Sequence, residues 1–236
     1  MKLLVSVADA GEARVAVRGG VDIVDVKNPA EGSLGAPAPG TIAQVRDTVP
    51  PERPVSAAIG DLPNLPGTAA LAALGAAHAG AAYVKVGLWG TSTEDEAVAV
   101  LRAVREALDG GPTVIAGAYA DADRVPSRPL APGAVVAAAR RAGVGGCLVD
   151  TAVKDGRGLF AWLTPEALTA LVAAAHAANL EMALAGALRA EDLPTVRATG
   201  ADIAGVRSAA CRDGRRTASL DAERIERLCA MCARSA

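Results

Sequence analysis

The chain has 236 residues, 51% of them hydrophobic and only 2% aromatic, with a net charge of −2. That apolar content can bury a large core and excludes intrinsic disorder, while the lack of a basic tract and of stacking aromatics argues against nucleic acid as a partner. The opening MKLLVSV is too short an apolar run for a signal-peptide core or a membrane span, so the expected protein is cytoplasmic, with no membrane partner.

In chain order, short apolar runs alternate with Ala-rich helical patterns. Strands are expected at Leu3–Val7, Asp22–Val26, Val55–Ile59, Tyr83–Val86, Thr113–Tyr119, Cys147–Asp150, Glu181–Ala185 and Asp202–Val206. Helical patterns fall near 9–19, 39–48, 67–80, 93–108, 132–142, 164–178, 189–199 and 220–233. Eight βα units in strict alternation call for a parallel sheet, and in this length for a single α/β domain over 1–236, a closed (β/α)8 TIM barrel. An open doubly wound sheet is the alternative. Its GxGxxG turn is missing, since the first turn reads Ala8–Asp9–Ala10–Gly11–Glu12. The Gly/Pro-rich stretch 28–39 directly follows the second strand and reads as a long loop of the kind that covers a barrel's active site. The four cysteines make no disulfide scaffold. Cys147 and Cys211 read as small core residues in strand-like segments, and Cys229 and Cys232 as residues on a terminal helix face.

Lysine usage is the strongest chemical signal. Of 24 basic residues only Lys2, Lys27, Lys85 and Lys154 are lysines, and the rest are arginines. A composition that uses arginine for ordinary charge leaves the remaining lysines in need of an amine-specific reason. Lys27, Lys85 and Lys154 fall at or just beyond the C-terminal ends of the second, fourth and sixth strands, the catalytic end of this fold. Period-two alternation puts Asp25 and Lys27 on one face and Val24 and Val26 on the other; Lys85 likewise opposes Val84 and Val86. Asp150 ends the sixth strand, with Lys154 in the following loop. A lysine can lose its proton and attack a carbonyl, a second can move the α-proton, and carboxylates orient both; arginine can do neither. A set of structural Lys–Asp ion pairs is the competing explanation.

Other candidates are weaker. Asp61 and Asp121 follow the third and fifth strands and either line the pocket or cap the next helix. His78 and His176 lie in helices away from strand ends, which speaks against a histidine-based triad or metal site; no metal and no cofactor are expected, although a carboxylate-only metal site stays open. Gly186 after the seventh strand, and Arg207 and Ser208 after the eighth, are candidate phosphate-binding residues, because those two loops often hold phosphate in barrels.

The stretches MKLLVSV, DIVDVKNPAEGSLGAP, YVKVGLWG, LVDTAVKDGRGLF, ALAGAL and ADIAGVR resemble the (5-formylfuran-3-yl)methyl phosphate synthases, also called 4-(hydroxymethyl)-2-furancarboxaldehyde-phosphate synthases, of methanofuran biosynthesis. The resemblance runs from the first strand to the eighth. It implies a TIM-barrel lyase that condenses two molecules of glyceraldehyde 3-phosphate into a furan aldehyde phosphate, releasing phosphate and water. It also implies that Lys27 is the Schiff-base lysine, Lys85 the proton acceptor, and Asp25, Asp150 and Lys154 the surrounding polar residues. Two other functions fit the residues alone: a class I sugar-phosphate aldolase, and a non-catalytic barrel that binds a phosphorylated metabolite. All three take a small phosphorylated molecule as partner, and a homo-oligomer stays open.

Overall fold

The computed structural model describes residues 1–233. Eight parallel strands close into a barrel in sequence order, with the first strand pairing the eighth. The strands are β1 (Lys2–Val7), β2 (Ile23–Val26), β3 (Val55–Pro63), β4 (Tyr83–Gly90), β5 (Thr113–Tyr119), β6 (Gly146–Asp150), β7 (Glu181–Leu184) and β8 (Ile203–Val206). The helices between and after them are α1 (Ala10–Arg18), α2 (Pro39–Thr48), α3 (Pro66–His78), α4 (Glu94–Leu108), α5 (Val135–Ala142), α6 (Pro165–Ala177), α7 (Leu193–Ala198) and α8 (Ala222–Cys232). Fold class and element order match the expectation from sequence.

Local chemistry sets the helix starts. Asp9 caps α1 by accepting from the Glu12 N–H, Thr93 and Glu96 form a reciprocal capping box on α4, and Asp221 caps α8. Two apolar layers follow from strand alternation. Val24, Val26, Val84 and Val86 lie in the outer layer, between barrel and helices. Leu4, Ile23, Ala58, Ile115, Leu148, Ala183 and Ile203 fill the barrel interior. The lysines and aspartates at the strand ends lie above this inner layer, at the C-terminal mouth.

Three details depart from the sequence reading. Strands β3 and β4 run further than expected, because Asp61 pairs with Gly87 and Pro63 with Gly90 past an irregularity in the ladder. Cys211 is buried, but in the β8–α8 connection, where it bridges to Leu220, and not in a barrel strand. Asp61 and Asp121 cap no helix; their partners lie in neighbouring loops.

Candidate active site

The even strands carry the amines, and their alternation brings those amines together. Asp25 of β2 is fully buried and receives the Lys85 ammonium of β4, with Nζ 2.6 Å from Oδ1 and hydrogen-bonded to Oδ2 at 2.7 Å. The Ser6 hydroxyl of β1 donates to the same Oδ2 at 2.9 Å. Asp150, at the end of β6, holds the Lys154 ammonium at 2.7 Å and takes the Thr151 N–H on the same oxygen. Burial opposes ionisation of Asp150, yet Lys154 and Lys27 together hold its carboxyl well below the usual range.

Lys27, just beyond β2, is buried and has no carboxylate within ion-pair distance among the described residues. Among the described residues its ammonium donates only to the Ser33 carbonyl, at a long 3.4 Å. Burial is the main cause that brings its pKa down to about 7; attraction from Asp150 opposes this, and repulsion from Lys85 and Lys154 adds to it. The two ion pairs thus act on Lys27 as neighbours without neutralising it.

The loop after β2 covers this group and is tied on three sides. Asp61 of β3 accepts the backbone N–H groups of Ser33 (2.8 Å) and Leu34 (3.2 Å), and the Tyr119 hydroxyl of β5 donates to the same carboxylate. The Ser33 hydroxyl donates to the Thr151 carbonyl after β6 at 2.8 Å, and Leu34 is inserted into the barrel interior. Gly32 has φ +136°, and a Cβ there would collide with Asp61 Oδ2, so only glycine fits. Asp121 does for the β6 loop what Asp61 does for the β2 loop. It accepts the Ala152 and Val153 N–H groups at 2.6 and 2.9 Å, directly before Lys154.

A cavity of about 270 Å³ opens above the amines. Lys27, Lys85, Lys154, Asp25 and Asp150 line it, together with Gly186, Arg207 and Ser208. The eight residues taken from sequence as catalytic or phosphate-binding candidates therefore share one pocket, which Asp61 and Asp121 do not line. Gly186 (φ +108°) packs against the Thr151 backbone, and the next residue, Ala187, is held in the left-handed region at φ +45°. The N–H groups of Gly186, Ala187, Arg207 and Ser208 have no acceptor among the described residues, and all four residues line the cavity.

Arg207 differs from the free charge expected. Its guanidinium is paired with Glu12 at 2.7 and 3.1 Å and donates to the carbonyls of Ser6 and Arg216. Sequence reasoning missed Arg216, which also lines the cavity. It lies in the irregular connection between β8 and α8, where no periodicity marks it. The histidines are elsewhere: His78 is exposed on α3, and His176 pairs with Asp202 outside the barrel mouth. Among the described residues no three His, Cys, Asp or Glu side chains are placed to hold a metal ion, and no helix is long and apolar enough to cross a membrane.

Comparison with known proteins bears on the family and the fold. A family model described as 4-HFC-P synthase matches residues 3–229. A (5-formylfuran-3-yl)methyl phosphate synthase of Methanopyrus kandleri is 52% identical over 218 residues, covering 91% of each chain. Synthases of the same name from Methanosarcina barkeri and Methanocaldococcus jannaschii are each 45% identical, covering 98% of this chain and 99% and 100% of theirs. Among solved structures, a 3-hexulose-6-phosphate synthase superposes with a TM-score of 0.64 at 21% identity, covering 99% of this chain and 100% of its own. KGPDC from Streptococcus mutans gives 0.65 at 13% identity, covering 98% of this chain and 96% of its own. These two likenesses speak for the fold alone.

Proposed function

The chain belongs to the 4-HFC-P synthase family, and from that premise we propose that it condenses two molecules of glyceraldehyde 3-phosphate into (5-formylfuran-3-yl)methyl phosphate, a furan unit for methanofuran, through a Schiff base on Lys27. Inorganic phosphate and water are released. The observation that carries the reading is the Lys27 amine: buried, held near 7, and left without a carboxylate of its own where Lys85 and Lys154 each have one.

At neutral pH an ordinary lysine is almost wholly protonated, whereas Lys27 is close to half neutral. That raises the reactive fraction roughly a thousandfold. The neutral Nζ attacks the aldehyde carbon, and the carbonyl oxygen leaves as water. The Lys154 ammonium, kept on Asp150, is the nearby acid for that departure. The iminium nitrogen keeps one hydrogen, for which the Ser33 carbonyl is the acceptor at hand. The iminium acidifies the adjacent C–H. Lys85 can accept that proton only after passing its own to Asp25, so the Lys85–Asp25 pair is the acid–base unit. The enamine then attacks the second aldehyde; loss of phosphate and water with ring closure gives the furan. Unpaired amides after β7 and β8 suit the phosphate that is retained.

The test is borohydride reduction of the enzyme mixed with glyceraldehyde 3-phosphate, followed by peptide mass spectrometry. A reduced adduct on Lys27 is expected. An adduct confined to Lys85 or Lys154 would reassign the nucleophile, and the lack of any adduct would end the Schiff-base reading.

A further inference from the structure

Five cations line the cavity: Lys27, Lys85, Lys154, Arg207 and Arg216. Three are already neutralised, Lys85 by Asp25, Lys154 by Asp150 and Arg207 by Glu12. Lys27 is the titrating amine. Arg216 is left as a permanent charge with no carboxylate within ion-pair distance among the described residues. It reaches from the β8–α8 connection past the end of β1, where Nη2 donates to the Gly32 carbonyl at 3.1 Å. Its Nε and Nη1 have no acceptor among the described residues. The backbone holds it in place: Arg207 Nε donates to the Arg216 carbonyl at 2.8 Å, and Glu12 fixes Arg207 in turn. A half-buried, unpaired guanidinium with free donors, mounted on a braced loop at the rim of a cavity, is the arrangement that recognises an oxyanion.

We propose that Arg216 anchors a second anion subsite, which holds the phosphoryl group that departs during the reaction, apart from the amide-lined subsite after β7 and β8 that keeps the other. The proposal rests on the reading above, in which two phosphorylated aldehydes meet in one pocket and one phosphate is lost. In that elimination a proton leaves the carbon next to the one bearing the phosphate and goes to the Lys85–Asp25 pair. A carbon–carbon double bond forms, and the breaking C–O bond leaves its electron pair on the phosphate oxygen. The departing group gains charge, and a fixed guanidinium stabilises it more in the transition state than in the ground state.

The experiment compares the wild-type enzyme with Arg216→Gln and Arg216→Lys. Binding of inorganic phosphate is followed by titration calorimetry. Borohydride trapping on Lys27 is followed as a function of concentration with glyceraldehyde 3-phosphate and with unphosphorylated glyceraldehyde. Arg216→Gln is expected to weaken phosphate binding about 10- to 100-fold, the range for losing charge-assisted hydrogen bonds. It should also erase much of the preference for the phosphorylated aldehyde, with Arg216→Lys in between. Unchanged phosphate affinity, or an equal loss with both aldehydes, would overturn the subsite, since a merely structural arginine would affect both alike. Wild-type enzyme that traps neither aldehyde but loses phosphate binding in Arg216→Gln would instead overturn the Schiff-base reading and leave the subsite standing.

Discussion

Replacing Lys27 by methionine should make the protein more stable while abolishing its chemistry. A lysine held at about 7, against 10.5 when unperturbed, binds its proton less readily folded than unfolded. The unfolded chain therefore carries the extra proton between those two values, and stability from this group rises with pH across that window. Each tenfold in proton affinity is about 1.4 kcal/mol, so the cost at pH 7 is roughly 4 kcal/mol and falls to about 1 kcal/mol by pH 9.5. This cost is already net of the attraction from Asp150 and Asp25. Methionine keeps the volume and apolar body of the side chain and removes the charge. Allowing for imperfect repacking, the variant should gain about 1–3 kcal/mol at pH 7 in urea unfolding, and the gain should shrink as pH rises. A variant less stable than wild type at pH 7, or a difference that does not change with pH, would show that Lys27 is a structural ion-pair partner.

Lys27→Arg preserves charge and approximate length but cannot become a nucleophile, so turnover should fall by several orders of magnitude and the trapped adduct should vanish. Lys85→Arg should still form the Lys27 adduct yet turn over about 10²- to 10⁴-fold more slowly, the usual contribution of a proton-transfer group. In Asp150→Asn the attraction that holds the Lys27 pKa up is gone, so the pH profile of trapping should move to lower pH; a move to higher pH would contradict the electrostatics. Gly32→Ala puts a methyl group against Asp61 in a left-handed conformation and should cost about 1–3 kcal/mol, with faster hydrogen exchange at Ser33 and Leu34 as the local signature.

The architecture was legible because short apolar runs alternate regularly with Ala-rich helical patterns along the chain. In DIVDVK and YVKVG period-two alternation also assigned faces, which is why Asp25, Lys27 and Lys85 could be placed in the mouth from sequence. Lysine scarcity pointed to the amines for a compositional reason. What escaped depends on contacts between residues far apart in the chain. Arg207 reads as a free phosphate ligand until Glu12, 195 positions away, is found against it. Asp61 and Asp121 look like helix caps because carboxylates after strands commonly are; their true partners, the amides of Ser33–Leu34 and Ala152–Val153, sit on loops from neighbouring strands. The ends of β3 and β4 were cut short because Gly60–Asp61 and Gly87–Gly90 have loop-like composition although they pair.

The two carboxylates that grip loop amides have a consequence for how such a barrel can diversify. Asp61 and Asp121 bind main-chain N–H groups, and so they constrain the path of each loop with little regard for most of its side chains. The moorings come from β3 and from just after β5, and the amines from β4 and just after β2 and β6, so a change in one set need not displace the other. Residues 28–31 and 155–158, whose amides these carboxylates do not hold, can then vary in size and polarity while Lys27 and Lys154 stay where they are. A laboratory library confined to those eight positions should yield altered substrate preference at a much higher frequency than one that also samples Asp61 and Asp121, where most changes would cast the loops adrift.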